Sequence, residues 1–253
     1  MPAKKIMFQG ANGEELSAKL DSPEGEAKAY ALFAHCFTCG KDLSAINRIA
    51  KALNEDEIAL FRFDFTGIGA SHGDFANTNF SSNVQDLIAA EKFMQANLQA
   101  PDIMIGHSLG GAATLVAAAH IEHVKAVVTI GAPFDSVNVL KQFGSSLEAI
   151  EEQGEVELLL AGRSFKIKKQ FIDDAVSQNI TDHIRNLKKP LLVMHSPVDD
   201  TVPIDHARSI YEAANHPKSF ISLDKADHLL MKSDKYGQYT ARVLAAWASQ
   251  YIE

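Results

Sequence analysis

Cysteine is nearly missing from this sequence. Only Cys36 and Cys39 occur among 253 residues, so no disulfide framework staples the fold, and its stability has to come from a buried core. Long apolar runs are missing too: no window approaches the length of a membrane span, and Lys4 and Lys5 are followed by no apolar stretch of the sort a secretory signal carries. Positive charge is in deficit. The formal net charge is −8 with no cluster of Lys or Arg, which argues against nucleic acid or an anionic membrane as the main partner. There are no repeats and no low-complexity tracts, and the ten histidines show no metal-ligand spacing. These absences lead us to expect a soluble, cytoplasmic protein.

What is present is apolar residue in quantity, 46% of a chain long enough to bury one large core. Lys5 to Gln9 and Glu15 to Leu20 flank the turn-rich Gly10-Ala11-Asn12-Gly13 and read as an antiparallel hairpin. Further strands are expected at Ala29 to Ala34, Ile58 to Phe65, the apolar run before Gly106, Val124 to Ile130, Leu191 to His195 and Ser219 to Leu223. Helical spacing recurs over Leu43 to Leu53 (Ile46, Ile49, Ala50, Leu53) and over Ser81 to Leu98 (Val84, Leu87, Ile88, Phe93, Met94), and Tyr239 to Tyr251 closes the chain as a helix. Strands alternating with helices in this way predict an α/β protein with a mostly parallel, eight-stranded sheet and helices on both faces. Pro133 to Pro190 breaks the rhythm, being too long for a crossover. It carries a small hairpin, Val156 to Leu160 and Arg163 to Ile167, then short helices at Lys168 to Val176 and Asp182 to Leu187. We therefore expect one domain over residues 1–253 with a lid inserted at about 134–189.

The sharpest feature is Gly106-His107-Ser108-Leu109-Gly110, set between an apolar run and the Ala-rich stretch Ala112 to Ala119. A serine at the tip of so tight a strand-to-helix turn sits in a sparsely populated backbone conformation, and the residues two before and two after it must lack side chains. Such a turn lifts the Ser108 hydroxyl above the sheet edge and aims the first free helix N–H, that of Leu109, at a substrate carbonyl. A hydroxyl is a poor nucleophile until a base takes its proton, and the base needs a third group to fix its tautomer. His228, in a loop just past the last strand, is the candidate base. His107 is expected to point away from the Ser108 hydroxyl, and His35 to be structural. The loop after Leu191 to His195 offers two carboxylates, Asp199 as first choice and Asp200 as second. The order Ser108, Asp199, His228 is that of α/β-hydrolases.

Over essentially its whole length the sequence resembles the α/β-hydrolase superfamily. The resemblance rests on a loop after the third strand beginning at His35, on Asp64 to Ser71 (Asp-x-x-Gly-x-Gly-x-Ser), on the Ser108 turn, on Asp199 to Pro203 (Asp-x-x-Val-Pro) and on Ala226-Asp227-His228. Matching Asp-x-x-Val-Pro is what selects Asp199. The resemblance implies a second oxyanion donor, the Phe37 N–H, although Cys36 stands where the superfamily usually has glycine. More narrowly, His35-Cys36-Phe37-Thr38-Cys39, Phe61 to Gly67, Gly73-Asp74-Phe75 and His195-Ser196-Pro197 look like the hydrolase half of bacterial proteins fused to an OsmC-type peroxidase domain. An OsmC-type partner is expected if the natural chain continues past Glu253. The lid hairpin is similar to that of cinnamoyl and feruloyl esterases.

The expectation is thus a cofactor-free serine acyl hydrolase, most simply a carboxylesterase for small or aromatic acyl esters. Two other readings are a non-catalytic receptor or adaptor that keeps the fold, and a thiol-redox role through Cys36-x-x-Cys39 in partnership with a peroxidase. A bond between those cysteines is expected to reorient the Phe37 peptide and weaken the second donor. In the lid, Phe134, Phe143, Leu158, Leu160, Phe165 and Phe171 exceed what so short an insertion can bury within itself, so some should line a pocket over Ser108.

Overall fold

A computed structural model of the chain describes residues 3–252. Strands β1 (Lys4–Gln9) and β2 (Glu15–Asp21) form the N-terminal hairpin. Then come β3 (Ala29–Ala34), α1 (Ser44–Glu55), β4 (Ile58–Phe63), α2 (Phe80–Asn97), β5 (Ile103–His107), α3 (Leu109–Ala118) and β6 (Ala126–Ile130). The segment that follows holds a 3-10 helix (Ser136–Phe143), α4 (Ser146–Gln153), the hairpin β7 (Glu155–Leu160) and β8 (Arg163–Lys168), α5 (Lys169–Ser177) and α6 (Ile180–Arg185). The chain closes with β9 (Leu191–His195), α7 (Ile204–Ala213), β10 (Lys218–Ser222) and α8 (Asp234–Ala248).

Eight strands make one sheet in the order β1-β2-β4-β3-β5-β6-β9-β10, with β7 and β8 apart as a two-stranded hairpin. Pairing is antiparallel at β1–β2 and β2–β4 and parallel from β4 across to β10. The central strands are apolar on both sides because both sides are covered, and the period of two divides their residues between two cores. Leu32, Phe61, Met104, Val127 and Val193 pack with α2 and α3. Phe33, Leu60, Ile105, Val128 and Met194 pack with α1 and α8. A register slip of one residue would exchange the two sets, so the helices on each face hold the register.

Helix α2 starts where side chains can close its free N–H groups. Asn79 accepts from the Ser82 N–H while Ser82 Oγ accepts from the Asn79 N–H, a reciprocal cap for α2. The structure also contains helices that the sequence pattern did not announce. The 3-10 helix and α4 lie ahead of the hairpin, and α7 turns only Ala207 and Ile210 fully inward, leaving most of its length polar. Helix α8 begins at Asp234, ahead of the expected Tyr239, and takes in Gly237 because a Cβ there would lie 3.0 Å from the Arg48 guanidinium of α1. Strand β4 stops at Phe63 rather than Phe65: the Asp64 N–H still reaches the Ser17 carbonyl at 2.9 Å, but the Asp64 carboxylate serves the loop beside it and the Phe65 N–H goes to the His35 ring.

The segment between β6 and β9 does not form a layer of its own. Its buried Phe143, Leu160, Phe165, Phe171, Ile172 and Ile184 join the α2–α3 core.

Beneath the loop that follows β3 lies a knot of buried charge. Asp64 accepts from the Lys41 ammonium, from the Lys41 N–H at 2.7 Å and from the Ala70 N–H at 3.0 Å, and both ion-pair partners are almost wholly buried. Arg62, on the preceding strand, donates to Asp21, the Lys41 carbonyl and Asn47. A buried pair adds little net stability, yet removing one partner strands the other charge away from water. Asp64→Asn is therefore expected to destabilise the protein by about 3–5 kcal/mol, read from urea unfolding at neutral pH; a loss under 1 kcal/mol would show that water reaches Lys41.

Candidate active site

The turn between β5 and α3 places Ser108 at φ 55° and ψ −128°. A non-glycine residue in that region costs on the order of 1–3 kcal/mol and persists only where its surroundings enforce it. Here the Ser108 N–H donates to the Ile130 carbonyl at 2.9 Å, while the Gly111 and Ala112 N–H groups both bond to the Ser108 carbonyl. The flanking glycines are required by contact. A Cβ on Gly106 would meet the Gly110 carbonyl and Gly111 Cα at 2.5 Å, and one on Gly110 would overlap the His35 carbonyl.

Three loops at the C-terminal ends of the parallel strands bring the nominated side chains together. His228 Nε2 lies 2.9 Å from Ser108 Oγ, and His228 Nδ1 lies 2.7 Å from Asp199 Oδ2. Ionised Asp199 can only accept, so the Nδ1 nitrogen carries the proton and Nε2 is left to accept from the hydroxyl. The other Asp199 oxygen accepts from the Thr201 and Val202 N–H groups, each at 2.9 Å. His195, at the end of β9, donates to the Val202 carbonyl at 2.8 Å and so braces that turn. Burial alone would raise the Asp199 carboxyl, but the hydrogen bond and charge of His228 and the two N–H groups outweigh it and hold the group below its ordinary range. Asp200 turns outward and, among the described residues, meets only the Thr201 hydroxyl.

The loop after β3 forms the opposite wall. His35 Nδ1–H donates to the Cys36 carbonyl at 2.8 Å and His35 Nε2 accepts from the Phe65 N–H at 3.2 Å, which requires a neutral ring; burial holds its pKa down accordingly. The Cys36 carbonyl also accepts from the Cys39 N–H, closing a four-residue turn whose third member, Thr38, sits at φ 57°. Cys36 and Cys39 are bonded as a cystine, with Cα atoms 5.3 Å apart. From the segment between β6 and β9, the Arg163 guanidinium donates to the Thr38 carbonyl. The Phe37 ring is gripped by Phe75, Phe171 and Phe143 at centroid separations of 5.7, 5.4 and 6.2 Å. Among the described residues, neither the Phe37 N–H nor the Leu109 N–H has an acceptor in the protein, and both residues border the same small void.

Arg163 and Lys41 carry no signal in residue type alone; His107, expected to point away from the Ser108 hydroxyl, lays its ring beside that of His228. The Asp64 motif was visible as a pattern, but its partners come from other loops.

The family model described as Hydrolase_4, serine aminopeptidase S33, matches residues 25–153, a little over half of the chain. The chain belongs to this family. It is a serine hydrolase on an α/β-hydrolase fold, with relatives that include esterases, a thioesterase and a lipase. The matched stretch contains Phe37 and Ser108 and ends before Asp199 and His228. A solved structure of an esterase domain from a Rhodothermus marinus protein is 44% identical, with 100% of each chain covered and a TM-score of 0.81. Est1E from Butyrivibrio proteoclasticus, solved with ferulic acid bound, shares the fold at 21% identity, covering 97% of this chain and 99% of that one with a TM-score of 0.80. The mitochondrial palmitoyl-protein thioesterase ABHD10 of Rattus norvegicus is 27% identical over 77% of this chain and 66% of its own length. No helix among the described residues is long and apolar enough to cross a membrane.

The lowered carboxyl of Asp199 has a consequence for folding. A group whose pKa is depressed on folding adds stability that is present above its unfolded pKa and is lost as pH falls through the folded one. Asp199→Asn should thus be less stable than wild type at neutral pH, and the gap should close as the pH drops below about 4, the unfolded carboxyl value. Urea unfolding at neutral pH and below about pH 4 checks this. A gap that widens in acid would mean that the ionised carboxylate is strained in the fold.

Proposed function

We propose that the protein is a carboxylesterase for small or aromatic acyl esters, with Ser108 as nucleophile, His228 as base and Asp199 as the acid that orients it. The observation that carries this reading is the unbroken chain from the Ser108 hydroxyl through both ring nitrogens of His228 to the buried Asp199. In that arrangement His228 takes the hydroxyl proton as Ser108 attacks the acyl carbonyl, and returns it to the leaving alcohol. Asp199 offsets the positive charge of the imidazolium and keeps Nδ1 protonated. The acceptor-free N–H groups of Leu109 and Phe37 are the proposed oxyanion donors, each worth about 3 kcal/mol of barrier. Water then enters through the same base and releases the acid.

Residues 134–189 act in this reading as a lid. Phe143, Phe165 and Phe171 pack around Phe37 and Phe75 and tie this segment to the loop that carries the proposed second oxyanion donor; buried in the core, none of the three lines the void beside Phe37 and Leu109. Ester rather than peptide substrates are supported by the full-length similarity to the Rhodothermus marinus esterase domain.

Ser108→Ala is expected to abolish fluorophosphonate labelling and hydrolysis of p-nitrophenyl esters while the melting temperature stays close to wild type. Asp199→Asn should lower kcat on the order of 10⁴-fold, the precedent for losing the tautomer-fixing carboxylate, and Asp200→Asn should lower it less than threefold. Activity of Ser108→Ala within tenfold of wild type, or a larger loss for Asp200→Asn than for Asp199→Asn, would sink the assignment.

The cystine gives a second test. Closure does not turn the Phe37 peptide out of use, contrary to the expectation from the spacing of the cysteines: the bonded turn leaves its N–H free and holds Thr38 at a φ that a β-branched residue would otherwise leave. The expected sign is therefore the reverse. Opening the bond with dithiothreitol should lower kcat about tenfold, part of the 10²–10³ that a whole donor is worth, with little change in KM. Cys39→Ser should begin at the reduced wild-type rate and ignore the reductant. Equal wild-type rates with and without dithiothreitol would remove the bond from the support of the site.

A further inference from the structure

His107 is the side chain that the sequence motif carries without using. It ends β5, immediately before Ser108, and it is almost fully buried. Rather than pointing into unrelated packing, its Nε2–H donates to the main-chain carbonyl of His228 at 2.7 Å. The two imidazoles lie side by side with their planes tilted 38° and centroids 5.1 Å apart. Consecutive residues of one turn therefore hold one histidine at both ends: Ser108 meets its ring and His107 meets its backbone.

The loop that carries His228 is otherwise organised from within. Asp227 accepts from the Met231 and Lys232 N–H groups, and the Leu230 N–H bonds back to the Asp227 carbonyl. Toward the rest of the protein, Ser196 reaches the Asp224 carbonyl at 3.3 Å and Arg48 the Leu230 carbonyl at 3.5 Å. Short ties also reach the loop's first residue, where the Leu223 N–H donates to the His195 carbonyl at 2.8 Å, and the His228 ring, which meets Asp199 at 2.7 Å; among the described residues, the His107 bond is the one that holds the His228 main chain.

We propose that His107 is a positioning residue that fixes the distance from His228 to Ser108, by tying the base's own carbonyl to the strand that presents the nucleophile. This rests on the reading of Ser108 and His228 as nucleophile and base.

The residue type follows from the surroundings. Behind the ring lies a small apolar cavity lined by Phe33, Leu43, Ile46, Ile49 and Leu230. A charged donor there would pay for desolvation and would also repel His228 each time it becomes an imidazolium. A neutral imidazole gives one N–H on a flat apolar body, and burial together with the neighbouring His228 keeps it neutral by lowering its pKa to about 3. Phenylalanine would fill the space and offer no donor. Glutamine can offer an N–H at similar reach.

The test compares His107→Phe and His107→Gln with wild type for kcat and KM on p-nitrophenyl acetate, for the rate of fluorophosphonate labelling, and for melting temperature. A base displaced by about 1 Å costs on the order of 10² in rate. His107→Phe should therefore lose roughly that factor in kcat and in labelling rate, with KM within about threefold, and His107→Gln should recover at least tenfold of the loss. A merely structural role predicts that activity follows melting temperature in both variants with no selective rescue by glutamine. If His107→Phe does not fold, His107→Met fills the space without a donor and takes its place. Folded variants that keep kcat within threefold of wild type, or a glutamine variant as slow as the phenylalanine one, would overturn the proposal. Undiminished activity in His228→Asn would instead overturn the reading on which it rests.

Discussion

Ser108 is held at φ 55°, and the rest of the site depends on that one strained residue. The strain is sustainable because β5 lies in the middle of a parallel sheet, fixed by β3 and β6, and because α3 begins at once and is buried along its whole length. The chain can make so sharp a reversal only where Gly106 and Gly110 let backbone touch backbone. The same closeness brings the start of α3 against the His35 carbonyl, so the Ser108 turn and the loop after β3 are in contact from the outset. Phe37 and Leu109, one from each, border a common small void for this reason.

The loop after β3 has no regular structure to hold it, and its support is assembled from four directions. Asp64 and Lys41 hold it from below through buried charge, His35 holds the Cys36 carbonyl from the core side, the cystine closes the turn, and Arg163 takes the Thr38 carbonyl from above. The Lys41–Asp64 pair and the His35 bond are shielded from water, where a hydrogen bond is stronger and an unpaired group more costly than at the surface. A donor proposed to meet an oxyanion needs such rigidity, since its value lies in not having to reorganise.

Phe37 joins this loop to the segment between β6 and β9. Its backbone belongs to the proposed oxyanion site and its ring to a phenylalanine cluster drawn from that segment and from the residues just before α2. Packing of the segment and placement of the N–H are therefore coupled through one residue. Protein interiors transmit displacement because they are close-packed, so movement of this segment would be felt first at Phe37.

Local pattern in the sequence was enough for the parallel sheet, the helices over both faces, the hairpins and the Ser108 turn, because apolar periodicity and glycine spacing are local and have few structural solutions. It also singled out Ser108, Asp199 and His228, whose motifs sit at strand ends that any such sheet brings to one edge. Helix α7 was not legible, since it turns little apolar surface inward, and the start of α8 was hidden by Gly237, whose reason for being in a helix is Arg48 on another helix. The bonding of Cys36 to Cys39, the reach of Arg163 to Thr38 and the grip of His107 on the His228 carbonyl were decided by tertiary structure alone. Those contacts join groups that are far apart in the chain or depend on the exact path of a loop, and a side chain's partner at 2.7 Å is set by the packing of whole elements rather than by its neighbours in sequence.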